Sequence, residues 1–532
     1  MIWLLRDLDL LSVLARAATL SFEALVVGGV AFLVLAARPA AAGEKVDSAC
    51  RRGIRMAAIA MLAAEIAAVA ISCGSLMGGS SVPFTSVVTT NFFLAGCAAA
   101  LASAGLWSGA RLRARSAVMI PLALLLVAAE VSTSHAVSRL NHRVLLTALT
   151  AAHHLGAAVW IGAMPFLLIA LPRADATGEA RSMARRFSRM ALVGAPTLVL
   201  AGVVMAYFYV GTWSALYGTP YGGLLLAKVY LLLVMVGLGA GNWLIVRRLD
   251  TNPRPLLEGL RRFAEVEIGL GFTAILVAAS LTAQPAAIDV PMQDRLTAPE
   301  IYARMHPTIP RMTTPPASAL TPPTSIAVAV QASEFQPMAA SDANDRAWSE
   351  YNHHWAGLVV LIAGLLALLS RFPSMRWARF WPLSFAGLAV FILLRADPEN
   401  WPLGPRPFWK SFSAPDVLEH RLAALLILLF AIFECAVQAG KLRARWAKQL
   451  FPLMCILGSA VLFTHDHTVQ DIKEELFAEL SHTPIALMGV TAGWGRWLEL
   501  RLPGGRAARA AGYLWPICLA IAGAILLNYR EH

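Results

Sequence analysis

Residues 149–171 read LTAAHHLGAAVWIGAMPFLLIAL, an apolar run that carries two adjacent histidines, His153 and His154, near its start. About 20 apolar residues cross a hydrocarbon core as a helix, so this stretch is expected to span a bilayer. Imidazoles at that depth are costly unless they are paired or put to use. At helical spacing His153, Gly156, Trp160 and Met164 fall at i, i+3, i+7 and i+11. One face is therefore expected to present a nitrogen ligand, a small residue for close approach, an indole and a thioether. Any one of these alone reads as core packing or an interhelical hydrogen bond. The four together read as the wall of a site.

The rest of the chain agrees with a membrane setting. Hydrophobic residues make up 58% of the 532 and charged residues only 14%, against about 25% charge in soluble domains. Fourteen apolar runs reach membrane length, eight in residues 1–284 and six in residues 348–532. Residues 285–347 between them hold ten prolines, among them Pro315, Pro316, Pro322 and Pro323, which predicts an outward linker or a loosely packed surface arm and not a folded core. The expected fold is thus an all-α polytopic membrane protein of two transmembrane helix bundles, about eight plus six spans. The first run imitates a signal peptide but is expected to stay as a span, because it is long, contains Glu23 and precedes its positive cluster.

Basic residues orient the chain. Loops at 38–55, 111–115, 173–189, 247–262, 371–379, 441–448 and 496–509 collect 29 of the 44 lysines and arginines, so that side is expected to be cytoplasmic and both termini periplasmic. The net charge of +12 then reflects topology and not nucleic-acid binding. The six cysteines form no CxxC and suggest neither a disulfide framework nor a zinc site. With no phosphate loop and no phosphorylatable aspartate motif, any transport is expected not to be ATP-driven by this chain. No residues suggest a catalytic site, and an enzyme is not expected.

Ionisable groups at membrane depth are Glu23, Glu65, Glu130, Lys228 and Glu267, each of which should be paired or line a cavity. Glu130 and Lys228 fall at a similar depth, roughly 9 Å below the outer surface at the helical rise, and are expected to pair, as a structural pin or as part of a gate. Cys73 and Met77 sit four apart, a soft pair that suits Cu(I) or fills a helix end. All twelve histidines fall on the expected outward side. His135 and His142 precede His153 and His154; His353, His354, His420 and His482 open spans, and His465 and His467 flank Asp466 in an HDH motif. His306 and His532 complete the set. Imidazoles two apart around a carboxylate suit Cu(II) or Zn(II), and the acidic TVQDIKEELFAEL that follows would attract cations or lie as an amphipathic helix at the interface.

The stretch at 149–171 resembles the copper resistance protein D family (CopD, PcoD), whose members carry a His-rich, Trp-Gly-containing helix of this kind. RRFSRMALV at 185–193, TPYGGLLLAK at 219–228 and LRRFAEVEIGLGFTAILVAASL at 260–281 resemble the family in the same order, so the likeness covers roughly the first half. It implies copper as cargo, a bacterial inner membrane, and passage of the metal between periplasm and cytoplasm, with a periplasmic copper chaperone as a partner beside the lipid bilayer. The expected metal ligands are His135, His153, His154, Cys73, Met77, His353, His354, His420, His465, His467 and His482. Trp160, Met164, Glu65, Glu130 and Lys228 are expected along the path or as its ion pair. Two other readings stand beside this one: a haem b protein passing electrons between helices, with axial histidines drawn from the same set, and a non-transporting metal sensor or scaffold.

Overall fold

The structure is a computed structural model that describes residues 2–79, 82–175, 177–248, 253–315, 343–397, 400–404, 407–411, 415–464 and 472–530. Among the described residues the regular elements are helices and there is no strand, as the long apolar runs require of a chain that must satisfy its backbone inside a bilayer. The chain falls into two compact units that divide at Pro291 and Met292, with the short segment Tyr217–Gly223 grouped with the second.

The first unit is built from α1 (Ile2–Phe32), α2 (Glu44–Gly79), α3 (Asn91–Arg111), α4 (Ser116–Ser132), α5 (Arg143–Ala157), α6 (Met164–Ala170), α7 (Thr177–Val210), α8 (Pro220–Arg247) and α9 (Pro253–Ala283). α1 is its axis, packing on α2, on α9 and on the turn that follows α5. That approach depends on glycine. A Cβ on Gly28 or on Gly162 would run into the backbone of the facing segment, Gly162 meeting the carbonyl of Ala24. Gly156 likewise lies against the backbone of Gly194 and Leu198 in α7. Close backbone approach through small residues is how helices associate where lipid removes most of the hydrophobic driving force.

The second unit contains α10 (Ala298–Met305), α11 (Ala343–Leu369), α12 (Leu383–Arg395), α13 (Pro415–Gln438), α14 (Arg445–Leu462), α15 (Ile472–Arg501) and α16 (Gly505–Leu527). α11 and α16 run face to face through Gly357, Gly364 and Gly523, each against the partner's backbone. Their core gathers Trp381, Phe430, Phe451 and Trp515, with ring centroids 5.0 to 6.4 Å apart. At one edge of it Glu499 accepts from Arg496 at 2.6 Å, from the Trp515 indole at 2.8 Å and from both terminal nitrogens of Arg371. Both guanidiniums also lie over the Trp515 ring. Removing the one carboxylate would leave the Arg371 and Arg496 guanidiniums without the anion they hydrogen-bond. Glu499→Ala is therefore expected to destabilise this unit by about 3 kcal/mol, read as a lower thermal midpoint in detergent followed by tryptophan fluorescence; an unchanged midpoint would count against the network.

Eleven helices among the described residues are long and apolar enough to cross a membrane, against the fourteen runs counted in the sequence. The other three runs are helical but fall short. α4 is apolar with only 17 residues, α14 begins with Arg445 and Lys448, and α15 carries Lys473, Glu479, Arg496 and Glu499 along its length. The proline-rich segment is partly ordered where it is described. Ala286, Ala287 and Val290 are buried in the first unit, and α10 is a formed helix with a capping box between Thr297 and Glu300. The Thr297 amide and hydroxyl donate to Glu300 at 2.6 and 2.7 Å, and the amide bond foremost holds its carboxyl down at about 2. Proline at the first turn favours such a helix start, so a high proline count did not exclude order. Pro316, Pro322 and Pro323 lie outside the described residues.

Candidate metal path in the first unit

The two histidines of the opening stretch are held in the same way. His153 Nδ1–H donates to the Leu198 carbonyl at 2.9 Å, and His154 Nδ1–H donates to the Glu23 carboxylate, 2.9 Å from the nearer oxygen. Glu23 is 3% exposed. A proton committed at Nδ1 leaves the lone pair of the neutral ring at Nε2, and a carbonyl or carboxylate behind the ring is the usual support of a metal-ligating imidazole. Two successive histidines thus keep their outer nitrogens for another partner. One turn before His153, the Thr150 hydroxyl lies 3.4 Å from the Met205 sulfur, so α7 brings a thioether that the sequence reading did not single out.

Trp160 and Met164 do not continue that face. Residues Ala158–Gly162 form a π turn, and Gly162 hands over to α6. A π turn holds an extra residue and rotates everything after it. Gly156 therefore follows His153 onto α7, whereas the Trp160 indole donates at 2.7 Å to Glu267 of α9, and Asn242 of α8 donates to the other Glu267 oxygen at 2.8 Å. Glu267 is 2% exposed and both its oxygens are engaged. Met164 is buried in the core.

The expected pairing of Glu130 with Lys228 is not formed. Glu130 binds Arg16 of α1 at 2.6 Å, and no carboxylate among the described residues pairs with Lys228, which stands within electrostatic range of His153. Equal depth does not imply adjacency, since depth is one coordinate of three. Arg16, Thr19 and Glu23 recur at i, i+3 and i+7, a polar stripe on an apolar helix; that signal was available for finding Arg16. The Glu65 carboxyl of α2 borders the same cavity as that of Glu130. Together with Arg16 they line this cavity of about 200 Å³, which also touches Thr19 and Ser72. His135 is the first residue of a short helix, Cys73 and Met77 lie near the end of α2, and none of the three joins the His153–His154 contacts.

In the second unit the histidines meet around Tyr529 without forming a metal centre. His353 stacks on its ring at 4.0 Å and gives its Nδ1–H to the Ser349 carbonyl at 2.8 Å, while His482 lies 6.1 Å from the ring. His354 is corrected as a ligand. Its Nδ1 accepts from the Arg311 amide and its Nε2–H donates to the Tyr529 carbonyl, both at 2.7 Å, so both nitrogens are spent on structure. His420 turns to Asp397 at 2.8 Å. His465 and His467 lie outside the described residues. Among the described residues no three of histidine, cysteine, aspartate and glutamate converge as a metal-binding group.

Comparison with known proteins bears on the first unit. Residues 181–281 fit the family model of copper resistance protein D. This segment resembles copper resistance protein D. It takes in three of the four stretches on which the resemblance was drawn; the fourth, at 149–171, lies before it. The matched segment supplies the Leu198 carbonyl behind His153, the Met205 sulfur, and Asn242 and Glu267 around Trp160. The chain is also 27% identical over 136 residues to the copper transport protein CutJ of Bacillus subtilis (strain 168). That alignment covers 25% of this chain and 24% of CutJ. No solved structure matches the chain.

Proposed function

We propose that the protein is a bacterial inner-membrane copper-handling protein that passes copper between periplasm and cytoplasm, with His153 and His154 on the route. The observation that carries this reading is the pair of Nδ1-anchored imidazoles inside an apolar span, backed by the Leu198 carbonyl and the Glu23 carboxylate. Imidazole and thioether are ligands that suit copper, and the copper resistance protein D segment and the similarity to a copper transport protein name the metal. A path needs ligands strong enough to admit the ion and separate enough to release it. Spaced ligands such as His153, His154 and Met205 meet that need better than a closed four-ligand cage. The excess of basic residues at 173–189 and 247–262 supports a cytoplasmic side there and both termini outside, where a periplasmic chaperone would deliver the ion. No step of this scheme calls for enzymatic chemistry.

The test is purified full-length protein in liposomes, with copper entry followed by a lumenal probe or radiocopper. Protein-containing vesicles are expected to take up copper well above protein-free ones, and protein from copper-supplemented cells to carry copper without a strong Soret band. A stoichiometric Soret band would turn the reading to a haem protein. Vesicles that accumulate no more copper than the lipid alone would leave a sensor or scaffold.

A further inference from the structure

We propose that the cavity bordered by Glu65, Glu130 and Arg16 is a proton-binding site, and that its proton is exchanged against copper movement. The proton site stands on the geometry alone; its coupling to copper rests on the function proposed above.

The groups around the cavity do not balance without a proton. Glu130 takes its charge partner from Arg16 at 2.6 Å and is 3% exposed. Glu65 is 9% exposed and lines the same cavity as Glu130. Two ionised carboxylates are acceptors only, so two of them bordering one cavity repel unless one carries an O–H. Arg16 gives its bond to Glu130, and no hydrogen-bond donor to Glu65 is formed among the described residues. The helices packed against it bring few charges. α1 contributes Arg16 and Glu23, α4 contributes Glu130, and α3 presents Phe92, Ala95, Gly96 and Ala99. A Cβ at Gly96 would come within 3.0 Å of a Glu65 oxygen, so the glycine makes room for the carboxyl. Glu23, next along, is engaged by His154. Counting fully ionised side chains, Glu23, Glu65 and Glu130 carry three negative charges against two from Arg16 and His154. A cluster of this kind, nearly out of water, resolves the excess by holding a proton.

The exchange can be written atom by atom. In the resting state Glu65 holds the proton as Oε–H and donates to the Glu130 carboxylate, which also accepts from Arg16. A copper ion arriving at His154 brings positive charge to the Glu23 side of the same cluster. The O–H bond of Glu65 then breaks, the proton passes to water, for which a cavity of about 200 Å³ has room, and Glu65 keeps the electron pair as a carboxylate. When copper leaves, the carboxylate takes a proton back from that water.

The experiment uses the full chain in liposomes with an imposed pH gradient and, separately, infrared difference spectra of the same protein between mildly acidic and mildly alkaline buffer. For one coupled proton, each unit of pH gradient shifts the copper accumulation ratio about tenfold. Glu65→Gln leaves the Arg16–Glu130 pair in place, so it is expected to fold and to lose this response, with the ratio independent of the gradient. The wild type is expected to show a protonated-carboxyl stretch that shifts in heavy water and is missing in Glu65→Gln. Copper movement indifferent to the gradient in the wild type would overturn the coupling, and a carboxyl stretch unchanged in Glu65→Gln would overturn the site. Should the wild type move no copper at all, the transport reading fails, and the infrared result alone decides the proton site.

Discussion

Protein with both His153 and His154 replaced by alanine is expected to move no copper across a reconstituted membrane, however much copper is supplied outside. The reason is position. Both rings lie within a span, each with Nδ1 committed and Nε2 left to a partner, so on the proposed route their loss would remove interior steps and not merely weaken capture at its mouth. Raising the external concentration restores occupancy of a weak outer site but cannot replace an interior ligand. A graded companion comes from the support behind the ring. Glu23→Gln keeps the shape of the side chain and withdraws the charge behind His154, and loss of such outer support weakens metal binding about 10- to 100-fold. That variant should therefore transport at raised copper where the double alanine variant does not. Replacing His465 and His467, on the expected outer loop, should likewise be overcome by more metal. Removing His154 also leaves Glu23 buried without its donor, at a cost of about 1–3 kcal/mol, so monodispersity and thermal midpoint must be shown first. Normal transport by a well-folded double alanine variant would make the His153–His154 pair structural.

The sequence showed the helical class, the two histidines and the buried carboxylates, because each is a local statement: an apolar run, a polar residue within it, a depth along it. It did not show partners. Glu130 and Lys228 share a depth, yet Glu130 is held by Arg16 on a different helix, and nothing in a one-dimensional count separates the two outcomes. The π turn at Ala158–Gly162 defeated the spacing argument differently. Helical periodicity assumes 3.6 residues throughout, and one wider turn sends Trp160 to Glu267 and away from His153. His354 was misread because adjacent histidines look alike in sequence. His153 and His154 keep Nε2 for a partner, whereas His354 spends both nitrogens on backbone groups from Arg311 and Tyr529, far apart in the chain. The copper assignment was never available from spacing, since imidazole, thiol and thioether would also accept zinc; it came from the resemblance and is supported by the matched segment.

Gly162→Ala is expected to cost more stability than any other single methyl group added to the first unit. The new Cβ would collide with the Ala24 carbonyl oxygen, and on the facing side Gly28 is already closed against the backbone at Gly162 and Ala163. A flexible side chain could swing aside from such a contact. Here backbone meets backbone on both helices, so α1 has to move. Overpacked cores lose about 1–3 kcal/mol when side chains can adjust; with rigid backbone on both sides the loss should exceed about 4 kcal/mol. Glu23 is the neighbour of Ala24, so the displacement also draws its carboxylate away from His154, and copper binding should fall even in protein that survives purification. Gly237→Ala is the matched control, because a Cβ there meets nothing within 4 Å and alanine is the better helix former; it should leave the midpoint level or slightly raised. The measurements are purified yield, thermal midpoint in detergent and copper stoichiometry for the three proteins. If Gly162→Ala matched the wild type in all of them, the close packing of α1 on the π turn would not be what holds Glu23 against His154.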